Sequence, residues 1–123
     1  MIKLVFCLRR KPGMSVEEFR RYWREDHAPL VKSHEEALGI CRYVQVHTDH
    51  GPGIKALTNS RGAPEPFDGI AELWYDSPEA LAARAKDPDA RAAGKALFED
   101  EQKFIDHATS PILIGTENVV IDG

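Results

Sequence analysis

Cysteine is scarce in this sequence: Cys7 and Cys41 are its only two, and their spacing makes neither a disulfide framework nor a C-x-x-C redox or zinc motif. A reducing cytoplasm is the compartment such usage suits. Positive charge is in deficit, with 16 Lys and Arg against 20 Asp and Glu for a net charge of −4, so affinity for a phosphate backbone has no electrostatic basis and no nucleic-acid partner is expected. No apolar run approaches the eighteen or so residues that a membrane span needs, and no membrane partner is expected. The first ten residues place an apolar stretch before Arg9 and Arg10, the reverse of a secretory signal, and strand alternation accounts for them. Gly-x-Gly-x-x-Gly, P-loop and Gly-x-Ser-x-Gly elements are all absent, which removes the support for nucleotide cofactors and for serine-hydrolase chemistry.

What remains is a chain of 123 residues with 42% hydrophobic residues, the size and composition of a single packed domain over residues 1–123. Residues 2–9 are β-rich, apolar on both parities, and predict a first strand. After the Lys11-Pro12-Gly13 turn, Ser15-Val16-Glu17-Glu18 fits a capping box, with Met14 and Phe19 placed as its hydrophobic staple. The helix that starts at Val16 carries a stripe of Val16, Phe19, Trp23 and His27, and Pro29 ends or kinks it, which puts His27 in its last turn. A short helical segment through Leu30, Val31 and His34 follows, stopped by Gly39.

Ile40–Thr48 predicts a second strand, with Ile40, Val44 and Val46 on one parity and Cys41, Tyr43, Gln45 and His47 on the other. Residues 49–67 hold three Gly and three Pro and are expected to form a long loop, able to act as a lid. Gly69–Tyr75 is the third strand. Ser77-Pro78 and Asp87-Pro88 each pair an N-cap with an N1 proline, and the second of these opens a helix expected to reach about Asp106. A last strand is expected over Ile112–Ile121.

The order βα(α)ββαα(β) predicts an α+β fold: a ferredoxin-like βαββαβ antiparallel sheet with helices packed on one face. Strands one and three are apolar on both parities, whereas one helical layer covers one face only. A homodimer is therefore expected, two sheets facing each other as a dimeric α+β barrel, with any cavity in that interior as the small-molecule site.

The runs Lys11–Ser15, Glu18–Trp23, Asp26–Val31, Asp68–Ser77 and Glu99–Asp106 together resemble the EthD (ether-degradation) family across nearly the whole chain. The most specific parts are the Trp-plus-His-x-Pro helix end and the Gly-Ile-x-Glu-Leu-Trp strand. The resemblance implies a dimeric α+β barrel and places the chain among relatives that include muconolactone-type isomerases, polyketide cyclases and dehydratases, cofactor-independent monooxygenases and ether-degradation proteins. In layout the chain is also similar to methylmuconolactone isomerases, where a histidine at the equivalent of His27 and a tyrosine at that of Tyr43 are associated with the pocket.

His27 is the candidate catalytic residue, an imidazole able to exchange protons near neutral pH at the end of an inward stripe; the same placement also suits a histidine that only bonds the last helix carbonyls. Trp23, Tyr43, Gln45, Glu72 and Trp74 are the candidate substrate-binding residues, sparse polar and aromatic groups in an otherwise apolar interior. Glu72 equally reads as a buried carboxylate satisfied by Arg42 on the neighbouring strand, and Tyr43 and Trp74 as packed aromatics. His47-Thr48-Asp49-His50 has chelating residue types, but it straddles a strand end and a loop, so a solvated turn accounts for it better than a metal site does. Cys7 and Cys41 are expected to be buried small hydrophobes. No metal or organic cofactor is expected. The function these features point to is proton transfer, of isomerase, cyclase or dehydratase type, on a small hydrophobic oxygenated ligand such as a lactone or aromatic compound. The alternative is a non-catalytic ligand-binding or accessory dimer of an oxygenase or ether-degradation pathway.

Overall fold

The computed structural model describes residues 1–123. Strand β1 (Ile2–Leu8) leads to helix α1 (Val16–Arg21), where Ser15 is the N-cap and its hydroxyl accepts from the Glu18 N–H, as the capping-box pattern requires. The helix does not stop before Pro29. It opens into a π-helical segment (Tyr22–His27), in which the Ala28 N–H reaches back to the Trp23 carbonyl, and continues as α2 (Ala28–Ser33) with Pro29 in its first turn. Proline brings no N–H to the ladder, and its position directly after the wider π turn is where the bonding shifts from π to α spacing. A short α3 (Glu35–Leu38) ends at Gly39, whose φ of 67° is the left-handed C′ conformation that glycine adopts freely.

Strand β2 (Arg42–His47) is followed by α4 (Pro52–Ser60), so the segment expected to be a loop contains a helix of nine residues. β3 (Gly69–Tyr75) matches its predicted bounds, and α5 (Pro78–Arg84) and α6 (Pro88–Glu101) begin at the two predicted Ser-Pro and Asp-Pro caps. Helix α6 ends five residues short of Asp106; a turn and a single 3₁₀ turn (His107–Thr109) then lead to β4 (Ile112–Gly115). The predicted extension of this last strand to Ile121 is not formed. Leu4 pairs with Ile114 and Lys3 with Gly115, so β1 has almost run out of residues to pair beyond that point.

The four strands form one antiparallel sheet in the order β2-β3-β1-β4, the ferredoxin-like α+β arrangement. Ile2, Leu4, Phe6 and Leu8 of β1 face the helices together with Ala71, Leu73 and Tyr75 of β3. Leu8, Phe19, Trp23 and Phe104 are the largest fully buried side chains, each removing enough apolar area from water to stabilise the fold by roughly 1.5–3 kcal/mol. Asp68 ties the end of β1 to the start of β3, accepting from the Arg10 N–H at 2.9 Å and from its guanidinium. The opposite face of the sheet carries Val5, Cys7, Val44, Val46, Ile70 and Leu113 and has no layer over it; Val46 and Leu113 are 44% and 55% exposed.

Candidate functional site

The register of the sheet sorts the candidate residues. Tyr43, Gln45 and His47 lie opposite Leu73, Ala71 and Gly69, on the helix-covered face, and meet Trp23 and His27 there. Glu72 and Trp74 alternate with those residues and stand on the other face. The structure thus brings together His27, Trp23, Tyr43 and Gln45, and separates Glu72 and Trp74 from them by the thickness of the sheet. Glu72 is satisfied by the Lys3 ammonium rather than by Arg42; Lys3 and Arg42 instead flank the Trp74 ring, at 4.6 and 4.9 Å, and the Trp74 indole donates to Glu117 at 2.7 Å.

His27 is buried. Its Nδ1–H donates to Asp100 Oδ2 at 2.7 Å, and the other oxygen of the same carboxylate accepts from the Tyr22 hydroxyl at 2.6 Å. Phe104 packs on the imidazole, with ring centroids 4.9 Å apart. Nδ1 is thereby committed, and Nε2 is the nitrogen left to exchange a proton. Burial by itself pushes the Asp100 carboxyl up, but the hydrogen bonds from Tyr22 and His27, the positive charge of an imidazolium and the nearby Lys103 ammonium outweigh it and hold the group below its ordinary range. An ionised Asp100 behind the ring fixes its tautomer and orientation, as an orienting carboxylate does in hydrolytic triads.

Beside His27 lies a narrow cavity of about 50 Å³ between the sheet and the helices, with mainly apolar walls that include Trp23, Tyr43, Leu97 and Glu101. It lies within the chain, between its own sheet and helices. Its size suits the reacting end of a substrate rather than a whole ring system. Tyr43 and Gln45 form its polar corner: the Gln45 amide donates to the Tyr43 hydroxyl and to the Trp23 carbonyl, both at 3.0 Å, while its oxygen accepts from His47 Nε2–H at 2.9 Å. Burial raises the Tyr43 hydroxyl above its ordinary value, so it remains a neutral donor at physiological pH. Burial, with Arg24 and Arg20 nearby, pushes His47 down, and its Nδ1 is buried without a partner. Trp23 reaches over β3 at Gly69, where an added Cβ would collide with the indole.

The His47–His50 stretch does not converge on one point: His47 is engaged by Gln45, and Asp49 accepts from the Gly51 N–H at 2.7 Å. Neither cysteine is buried. Cys7 is half-buried on the open face of the sheet, and Cys41 is exposed just before β2, its thiol donating to Asp76 at 3.3 Å. Sequence reasoning missed Asp100, Tyr22 and Glu101. The signal for Asp100 was present in α6, where Ala90, Ala93, Leu97 and Asp100 follow helical spacing on one buried face.

Residues 11–108 match the model of the EthD domain. The chain belongs to the EthD family. Among its relatives are a decarboxylase of Claviceps purpurea, 29% identical over 98% of this chain and 86% of the relative, and the conidial pigment biosynthesis dehydratase EthD of Metarhizium robertsii, 31% identical over 86% and 75%. The crystal structure of an EthD-family protein from Bacillus halodurans is 23% identical, covers 96% of this chain and 99% of its own, and superposes with a TM-score of 0.62, a likeness of fold. The matched EthD segment contains every residue of the His27 cavity named above, together with Tyr22 and Asp100.

Proposed function

We propose that this EthD-family protein is a small-molecule enzyme that moves protons on a hydrophobic oxygenated substrate, a lactone or aromatic compound, with chemistry of isomerase, cyclase or dehydratase type and no metal or organic cofactor. The observation that carries the reading is the buried His27 held by Asp100 at 2.7 Å beside an apolar cavity. An oriented imidazole in such a place is a general base or acid, and its supporting carboxylate offsets the charge it gains on accepting a proton. Tyr43 donates a hydrogen bond to an oxygen on the substrate, stabilising the enolate that proton removal creates. Trp23 and Leu97 hold the apolar part.

Relatives named dehydratase and decarboxylase support this class of chemistry. Between the two, the cavity favours loss of water from a neutral β-hydroxyketone. No Lys or Arg lines it to receive a substrate carboxylate.

The test is a panel of β-hydroxyketones and hydroxylated aromatic acids offered to wild-type protein and to His27→Ala. Turnover by the wild type with a kcat lowered by about a hundredfold or more in the variant, at unchanged fold, is the expected result. Saturable binding without turnover across the panel would establish the non-catalytic carrier instead. Full activity with a reduced melting temperature would leave His27 as a structural histidine.

A further inference from the structure

Glu101, the residue after Asp100, also forms a carboxylate–histidine pair, with the two partners reversed. In the first pair the histidine faces the cavity and the carboxylate stands behind it; in the second the Glu101 carboxylate lines the cavity and His107 stands behind, its Nε2 3.0 Å from Glu101 Oε1. His107 comes from the 3₁₀ turn after α6, and its ring stacks on Phe98 at 5.1 Å and near-parallel to Phe6 at 6.2 Å, so its orientation is fixed by packing. The two sites differ in access to water. The His27 and Asp100 side chains are 6% and 11% exposed, whereas His107 and Glu101 are 30% and 20% exposed. One pair is closed off inside the protein; the other runs from the cavity to solvent.

We propose that Glu101 is the second proton-transfer residue of the cavity and that His107 is its proton shuttle to solvent. The inference rests on the proton-transfer reading of His27. In a dehydration, His27 Nε2 takes the proton from the carbon next to the carbonyl to leave an enolate, whose electron pair then forms the new carbon–carbon double bond as the carbon–oxygen bond breaks. Glu101 gives its proton to the departing oxygen, which leaves as water. His107 passes a proton to Glu101 and takes one from solvent, while His27 gives up its own to water that enters the cavity as product leaves, so one water is lost per turnover and the protein is restored. An isolated base would leave hydroxide as the leaving group in an apolar cavity, which is far more costly than water. A purely structural Glu101–His107 pair would account for the 3.0 Å contact, but a carboxylate used only to bind His107 gains nothing from also lining the cavity.

The probe is 4-hydroxy-4-phenylbutan-2-one, whose reacting end is open-chain and whose dehydration gives 4-phenylbut-3-en-2-one, followed in deuterated water so that exchange at the carbon next to the ketone and formation of the enone are read separately. Glu101→Gln is expected to lower enone formation by about a hundredfold while exchange continues, and His27→Ala to abolish both. His107→Gln is expected to fall about tenfold and to recover as imidazole buffer is raised, because a small acid can replace a shuttle that reaches solvent. Melting temperatures of the three variants control for folding; an unfolded Glu101→Gln is replaced by Glu101→Asp, which keeps the acid and is expected to retain partial activity. Wild-type rates in Glu101→Gln, or a His107→Gln defect indifferent to buffer, would overturn the proposal and leave the role of His27 intact. A wild type that neither exchanges nor dehydrates the probe overturns the proton-transfer reading, and this proposal with it.

Discussion

A histidine 95% buried on the inward stripe of a helix needs a partner for its ring N–H, and Asp100 is what makes position 27 tenable. The stripe Phe19, Trp23, His27 was legible because the spacing is local. Its partner was not, since the two residues lie 73 apart and only the packing of α6 against the π-helical segment joins them. Asp100→Asn keeps the shape and removes the charge. Because the native carboxyl sits below its ordinary value near 3.8, the stability it contributes is present above about pH 4 and lost as the pH falls through the folded value. A thermal melt series from pH 7 to pH 3 should therefore show the wild type losing an increment that Asp100→Asn lacks at every pH, the variant being less stable at pH 7 by about 1.5–3 kcal/mol. Activity should fall by about ten- to a hundredfold, because nothing then holds the imidazole in its tautomer. A variant with the wild type's acid limb and kcat would remove Asp100 from both roles.

At the scale of elements, strands β1 and β3 and the three capped helix starts were readable, because alternation and N-caps are written in adjacent residues. Helix α4 was hidden by the glycines and prolines around it and by the absence of any buried residue to impose a stripe. The π-helical segment was hidden for another reason. The buried residues Phe19, Trp23, His27 and Val31 recur every four positions. In a regular α-helix each such step drifts about 40° around the axis, or about 120° over three, and the wider π turn takes that drift back. The segment thus keeps His27 in line with Trp23 and with Val31. Deleting the exposed Glu25 removes the surplus residue and should let the segment close into an ordinary α-helix, since residues 19, 23, 26 and 30 of the shortened chain then follow α spacing. The expected outcome is a folded protein, melting within a few degrees of the wild type, whose kcat is at least tenfold lower because His27 has moved relative to Asp100. Circular dichroism and a melt check the first part and steady-state kinetics the second; unchanged kcat would show that the π turn does not position the histidine.

The molecule as a whole has a sheet that is apolar on two faces and helices on one. The covered face holds the His27 cavity, so a small-molecule site is available within one chain without the space between two facing sheets in which it was expected. The uncovered face is still unaccounted for within one chain. Val5, Cys7, Val44, Val46, Ile70 and Leu113 form its apolar part, and Lys3, Arg42, Glu72 and Trp74 close one end of it with charges. A soluble monomer seldom leaves so continuous a patch open, and a second copy laid on it across a two-fold axis would bury the same residues from both sides. We infer a homodimer formed through this face, with a complete His27 cavity in each protomer. Val46, half-exposed near the far end from the charges, is the residue to change, because Val46→Glu would place a carboxylate in the buried interface with no cation opposite it. Light scattering should give a dimer for the wild type at micromolar concentration and a monomer for Val46→Glu, with the dimer dissociation constant raised by at least tenfold. Since the cavity lies within the protomer, the monomeric variant should keep measurable activity per folded chain. A wild type that stays monomeric at high micromolar concentration would end the dimer, and a Val46→Glu variant that remains dimeric would move the interface to another surface.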